Sequence, residues 1–308
     1  MTASDAIQVR PASPSEARRA ADLVARHGGA PGGADPGDGL LYSNLHNASV
    51  AARGEELLGL CVYVPSEGRC AAILVPRLVE WDEALAARLI RAASALARKR
   101  HDSRLIQTLL PPDVPRAIAA AYEGAGFEQL AELAYMRRAM RPEDGHPATE
   151  ADLQWLRYSF FRQREFARTI AASYVDSLDC PRLAGLRTVG DAIATHKATG
   201  IFSPKAWHVA RLDGKPVGVE LVNNLSGRGD LVYLGVAAGA RGRGIGRALL
   251  ARAIADTAAL GLPQMGLAVD VANTPAMRLY EHAGFKELRR RIAWFVPKER
   301  LEGLGTNV

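Results

Sequence analysis

The feature that most constrains this chain is that it repeats itself once. Tyr122-Glu123-Gly124-Ala125-Gly126-Phe127 returns as Tyr280-Glu281-His282-Ala283-Gly284-Phe285, 158 positions later. Val50-Ala51 followed by Leu58-Gly59-Leu60 returns as Val209-Ala210 followed by Val217-Gly218-Val219, at a separation of 159. Two separate matches at nearly one offset imply a duplicated domain. At roughly 150 residues per domain, each half of the 308 residues is large enough to bury its own core. The boundary is expected in residues 141–150, a polar stretch with two prolines and no apolar period, giving domains over 1–145 and 151–308.

The two copies share one pattern. A strand (7–12; 153–160) precedes a helix whose apolar residues recur near 3.6, as in Phe166, Ile170 and Tyr174. A turn-rich region follows, which in the first copy covers 28–39. A hairpin is expected from 206–212 and 216–223, joined by Asp213-Gly214, a pair that tolerates positive φ. Then come a strand over 230–237, a long Ala/Leu helix over 244–260, a strand over 265–271, and a short helix over 275–283. Thr274 is the expected cap of that last helix and Pro275 its first residue. Two closing strands complete each copy. The fold class is therefore α/β in an α+β layered arrangement, with a central mixed sheet flanked by helices in each domain.

Composition removes several function classes. An apolar fraction of 48% with 23% charged residues excludes a disordered chain. The net charge of +6 invites a nucleic-acid reading, but the basic residues are spread along the chain. Dense runs are short, as in Arg289-Arg290-Arg291, and aromatic-plus-basic stripes are missing, so no nucleic-acid partner is expected. No stretch approaches the roughly 18 apolar residues of a membrane span, and the start lacks the pattern of an export signal. Cys61, Cys70 and Cys180 are odd in number and without metal spacing, which fits a reducing cytoplasm. His196, His208 and His282 show no paired ligand spacing, so no metal is expected.

The chemistry concentrates in Arg241-Gly242-Arg243-Gly244-Ile245-Gly246-Arg247, which follows the apolar strand Leu231-Val232-Tyr233-Leu234-Gly235-Val236 and runs into a helix. Glycines let a ligand approach the backbone, and successive amides at a helix start can converge on phosphate oxygens. The helix end contributes roughly 0.3–2 kcal/mol per anionic group. A ligand-free turn is the bland alternative. A dinucleotide fingerprint is a second, but the loop lies deep in the second copy and the next acid, Asp270, already belongs to the following strand.

These residues resemble the GNAT superfamily of acetyl-CoA-dependent N-acyltransferases. Its Arg/Gln-x-x-Gly-x-Gly/Ala signature matches Arg241, Gly244 and Gly246, and a second motif matches Asn273, Ala276, Tyr280 and Gly284-Phe285. The resemblance covers 151–297. It implies that the pantetheine arm of acetyl-CoA lies along Leu234, Gly235 and Val236. It also implies that 241–247 hold the pyrophosphate, with Arg241, Arg243 and Arg247 adding charge, and that Asn273 contacts the thioester end. The first copy resembles a degenerate version: the matching loop, Val79-Glu80-Trp81-Asp82-Glu83-Ala84, has no glycine and three acids, and Pro115 stands where the second copy has Asn273. Carboxylates there would satisfy the helix start themselves and repel a pyrophosphate.

The expected reaction is direct attack of a primary amine, on a small molecule or peptide, on acetyl-CoA. A lysine-like amine costs about 4.6 kcal/mol to deprotonate at pH 7 and an α-amine about 1, so a base matters. Tyr280 is the candidate acid by the resemblance, against a packed aromatic as the alternative. Asp230 is the candidate base through water, because it starts the strand that leads to the loop. Tyr174, Asp176, Asp179 and Glu220 are candidate acceptor contacts, acids being suited to an ammonium group. Cys180 is read as structural. A non-catalytic acyl-CoA sensor or scaffold is the competing function, and monomer and homodimer both remain open.

Overall fold

The structure, a computed structural model, describes residues 6–27, 38–145 and 153–305. Most of the turn-rich stretch 28–39 and residues 146–150 of the expected boundary lie outside the described residues.

The first repeat runs β1 (Gln8–Pro11), α1 (Pro14–His27), α2 (Asp38–Ser43), β2 (Ala48–Arg53), β3 (Glu56–Ser66), β4 (Cys70–Ile73), β5 (Arg77–Leu78), α3 (Glu83–His101), β6 (Leu105–Leu110), α4 (Arg116–Gly124) and β7 (Glu128–Ala139). The second runs β8 (Gln154–Arg157), α5 (Gln163–Tyr174), α6 (Val189–Ala198), β9 (Trp207–Leu212), β10 (Lys215–Leu225), β11 (Arg228–Val236), α7 (Ile245–Ala259), β12 (Gln264–Asp270), α8 (Thr274–His282) and β13 (Lys286–Phe295), followed by α9 (Lys298–Leu301). No helix among the described residues is long and apolar enough to cross a membrane.

The duplication holds at the level of single residue pairs. Val50 faces Leu60 and Ala51 faces Gly59 in the β2–β3 hairpin; Val209 faces Val219 and Ala210 faces Gly218 in β9–β10. The β9–β10 turn uses Asp213 (φ 51°) and Gly214 (φ 73°), the pair of positive values that a two-residue hairpin of matching twist requires.

Compact packing divides the chain differently from the repeat. One unit comprises Met1–Leu130 with Ile292–Val308, the other Ala131–Arg291. Within the first, the strand order is β1-β2-β3-β4-β6-β13; within the second it is β7-β12-β11-β10-β9-β8. Every pairing is antiparallel except β4 with β6 and β11 with β12. In each unit the strand beyond the parallel pair thus comes from the other repeat: Ile292–Phe295 lie along β6, and Leu133–Ala139 along β12. Two expectations are corrected here. Each repeat closes on one strand rather than two, because neither 128–139 nor 286–295 holds a Gly, Pro or Asn to turn the chain. The cap of α8 is Asn273, not Thr274: Asn273 Oδ1 accepts the Ala276 N–H at 3.3 Å.

In the second unit α5 covers one face of the sheet, with Phe166 and Ile170 against Trp207, Val209, Val219 and Leu221. α7 covers the other, with Leu250, Ala253 and Ile254 against Val222, Leu231, Met265 and Leu267. Each large side chain so buried contributes about 1.5–3 kcal/mol. Gly218 lets α7 come close: a Cβ there would stand 2.7 Å from Leu249 Cδ1 and 3.1 Å from the Gly235 carbonyl oxygen.

Candidate active site

The site begins with a fault in the sheet. β11 and β12 are paired only at Gly229 with Met265 and at Asp230 with Gly266. Immediately beyond, the β10–β11 register slips between Leu221 and Val222, leaving Val232 as the extra residue of a bulge. A bulge bends and twists its strand, and from there β11 and β12 diverge. The opening is a cleft of about 600 Å³, lined by β11 from Leu231 to Val236, by Ala268 and Val269 of β12, by the loop into α7, by the first turns of α8, and by residues 173–179. Past Asp230, the β11 edge that faces β12 has no ladder partner among the described residues.

At one end of the cleft stands the start of α7. Gly242 (φ 75°) and Gly244 (φ 77°) take left-handed conformations that a side chain would strain. Gly244 is the cap residue, with no side chain bonded to the helix, so the first amides of α7 are left to the cleft. Gly242, Gly244, Ile245 and Gly246 line it, as do Leu234, Gly235 and Val236. Arg241 also lines it, but its guanidinium is engaged: it donates to the carbonyls of Ser173 (3.0 Å), Val175 (2.7 Å) and Asp176 (2.9 Å), clasping the end of α5. Cations are suited to a helix C-terminus. Arg241 is therefore a clasp on the end of α5, with its charge at the cleft wall. Arg243 and Arg247 do not line the cleft.

Tyr280, Asn273, Tyr174, Asp176 and Asp179 line the same cleft. Tyr280 is 7% exposed and packs edge-on against Phe285 at 5.9 Å. Burial, aided by the charge of Asp179, pushes its hydroxyl up, so the proton stays on. That hydroxyl has no hydrogen-bond partner among the described residues. Asp179 is likewise held above the ordinary carboxylate range by burial in the wall, and the neighbouring Asp270 charge adds to the shift. Two residues the sequence reading missed, Tyr233 and Ser173, complete the wall, and His196 lies against Tyr233 outside the lining. Tyr233 bonds its hydroxyl to that of Ser173 (2.7 Å) and meets Tyr174 edge-on at 5.8 Å. His196 lies tilted against Tyr233 at 5.3 Å; buried with Nε2 unpartnered, it is pushed down to about 3 and is neutral. Their signal was present in part, since Tyr233 sits in the strand that leads to the glycine loop.

Two expected acids fall elsewhere. Asp230 belongs to the paired apex of β11 and β12, stands 3.6 Å from the Arg228 guanidinium, and does not line the cleft. Glu220, expected as an acceptor contact, is fully buried and faces α7 rather than the cleft, which corrects that expectation. Its Oε1 lies 2.8 Å from His208 Nδ1, and Asp256 Oδ2 lies 2.9 Å from the same nitrogen. These three side chains offer ligand atoms within 4.8 Å of one another, a grouping that the linear spacing of the histidines hid. Arg252 supplies positive charge there, bonding both Asp256 oxygens at 3.2 Å and reaching His208 Nε2 at 3.2 Å. The Nδ1–H tautomer satisfies that geometry, and burial raises the Glu220 carboxyl to about 8.

Known proteins carry the same pattern. The sequence model of the Acetyltransferase (GNAT) family matches residues 176–285. A mycothiol acetyltransferase of Streptomyces avermitilis is 37% identical over 91 residues, covering 29% of this chain and 30% of that protein. One from Propionibacterium freudenreichii is 31% identical over 174 residues, covering 55% of this chain and 54% of that one. The chain thus spans between about a third and about half the length of these two curated relatives. A GCN5-related N-acetyltransferase structure from Sphaerobacter thermophilus superposes with a TM-score of 0.59 at 17% identity, over 94% of this chain and 95% of that one, so the fold is shared along nearly the whole length. With the family signature seated on the cleft, residues 176–285 form a GNAT-family domain, within a fold shared along nearly the whole chain.

Proposed function

We propose that the chain transfers an acetyl group from acetyl-CoA to a primary amine of a small molecule or peptide, the amine attacking the thioester directly. The observation that carries this reading is the presence, in one cleft, of an uncapped glycine-rich helix start and an unpartnered tyrosine hydroxyl. The amides from Gly242 to Gly246 suit a pyrophosphate. The unpaired edge of β11 suits the amide-bearing pantetheine arm, which can bond to it as an added strand would. Asn273 commits Oδ1 to capping α8 and keeps its amide N–H groups for the thioester end. Tyr280, with its proton held firmly, suits protonation of the departing thiolate.

The family assignment supports acetyl transfer in general. The relatives' matched stretch is too short to carry their substrate across, so the acceptor class rests on the acids and phenols of this cleft. Calorimetry with acetyl-CoA, followed by a free-thiol assay with primary amines, tests the reading. Micromolar binding and amine-dependent thiol release are expected. Absence of binding overturns it, and binding without transfer to any amine turns the protein into an acyl-CoA sensor.

A further inference from the structure

We propose that Asp179 is the general base of this transfer, its carboxylate taking the proton from the acceptor ammonium inside the cleft that Tyr280 lines. The inference rests on the amine-acetylation reading above. Asp179 lies in the connection between α5 and α6, and two crossed bonds hold it in place. Its Oδ1 accepts the Asp270 N–H at 3.3 Å, while Asp270 Oδ2 accepts the Cys180 N–H at 3.2 Å. Asp270 Oδ1 in turn accepts the Ala272 N–H at 2.9 Å. The connection between α5 and α6 is thereby fastened to the end of β12, 90 residues further along the chain.

The groups facing Asp179 come from every wall: Tyr174 and Cys180 from its own segment, Tyr233 from β11, Asp270 from β12 and Tyr280 from α8. The charge of Asp179 bears on Tyr174, Cys180, Tyr233 and Tyr280 alike, which places one carboxylate in the midst of three phenols. The cations of the region act on other groups. Arg187 bears on Tyr174 and His196, and Arg241 is committed to three backbone carbonyls. A carboxylate paired with a guanidinium is a weak base. Asp230 is nevertheless raised by burial against the pull of Arg228, so position separates the two acids: Asp179 lines the cleft, enclosed beside another acid, and Asp230 does not.

The protons balance as follows. The ammonium gives one proton to Asp179, which passes it to solvent through the open cleft. The freed nitrogen pair forms the N–C bond to the thioester carbon while the carbonyl electron pair moves to oxygen. On collapse the C–S bond breaks, Tyr280 protonates the sulfur, and the phenolate recovers the second nitrogen proton. Ammonium and thioester become amide, thiol and one released proton.

The test uses the full chain with saturating acetyl-CoA and two probes, an ε-amine (Nα-acetyl-lysinamide, near 10.4) and an α-amine (glycylglycine, near 7.8). Asp179→Asn is expected to lower kcat at least 10²-fold on the ε-amine and less on the α-amine. The acid limb of the wild-type pH profile should vanish, the acetyl-CoA Kd should hold, and Asp179→Glu should recover part of the rate. Turnover within threefold of wild type at every pH overturns the proposal, as does a raised amine KM at unchanged kcat, which would make Asp179 only an anchor. An acceptor-free measurement decides independently: carbon-13 titration of the Asp179 carboxyl in the acetyl-CoA complex should place it above the ordinary aspartate range, and a value at or below about 3.9 overturns the proposal. Wild-type protein that fails to bind acetyl-CoA in calorimetry defeats the parent reading instead.

Discussion

The two repeats start their long helices in opposite ways. At α3, Asp82 caps the helix with its own carboxylate, accepting the Leu85 N–H at 2.7 Å. At α7, Gly244 has no side chain to cap with; the matching amide, that of Arg247, donates to the Gly244 carbonyl at 3.0 Å, and no side chain takes the amides of Ile245 and Gly246. The tyrosines that follow tell the same story. Tyr122 donates its hydroxyl to the Ile73 carbonyl at 3.1 Å, at the end of β4, so its polar atom is absorbed by the sheet. Tyr280 occupies the matching place, packed on Phe285 as Tyr122 is on Phe127, with its hydroxyl left to the cleft. The scaffold is common to both; what differs is whether its polar atoms are satisfied internally or held for a ligand.

Four experiments test this contrast. Gly244→Asp would give α7 the chemistry of α3. Acetyl-CoA affinity, read by calorimetry, should fall about a hundredfold, from the strain of a side chain at positive φ and from a carboxylate set against the pyrophosphate. Next in size, Tyr280→Phe should lower kcat at least tenfold with acetyl-CoA binding kept, while Tyr122→Phe leaves turnover unchanged; equal losses would erase the distinction between the tyrosines. The third concerns the backs of the two sheets, where His208 faces Glu220 in one unit and Ser49 faces Cys61 in the other. Glu220 held at about 8, and His208 also raised, favour the fold at low pH. Glu220 contributes fully below the unfolded carboxyl value of 4.5 and loses that contribution as pH rises through about 8. Glu220→Gln should therefore flatten the fall of the unfolding midpoint between about pH 5 and 8. Smallest, Asp82→Ala should cost about 1 kcal/mol in denaturant unfolding and create no acetyl-CoA site, since the loop before α3 has no glycine.

Local chemistry was legible in the sequence; side-chain direction was not. The Asp213-Gly214 turn, the glycine loop and the tyrosine pair are written in short contiguous runs, and each appears where the residues imply. Glu220 was misread because facing is decided by pleat, and the register shift between Leu221 and Val222 disturbs alternation beside it. Asp230 was misread because only pairing with β12 shows that it sits at the closed apex of the cleft. The Asp179–Asp270 bonds join positions about 90 residues apart, and Arg241 reaches 65 residues back to Asp176; neither leaves a local trace. Strand exchange is likewise invisible, since 128–139 and 286–295 would suit either sheet by composition.

That exchange has an evolutionary consequence. The segment Leu133–Ala139 is encoded with the copy whose helix start is self-capped, yet it pairs with β12 in the sheet that carries the cleft. A gene that shed its first half would strip β12 of its neighbour and bare a long sticky border. A duplicate can drift in its loops, but it cannot be discarded: it survives as a structural lender.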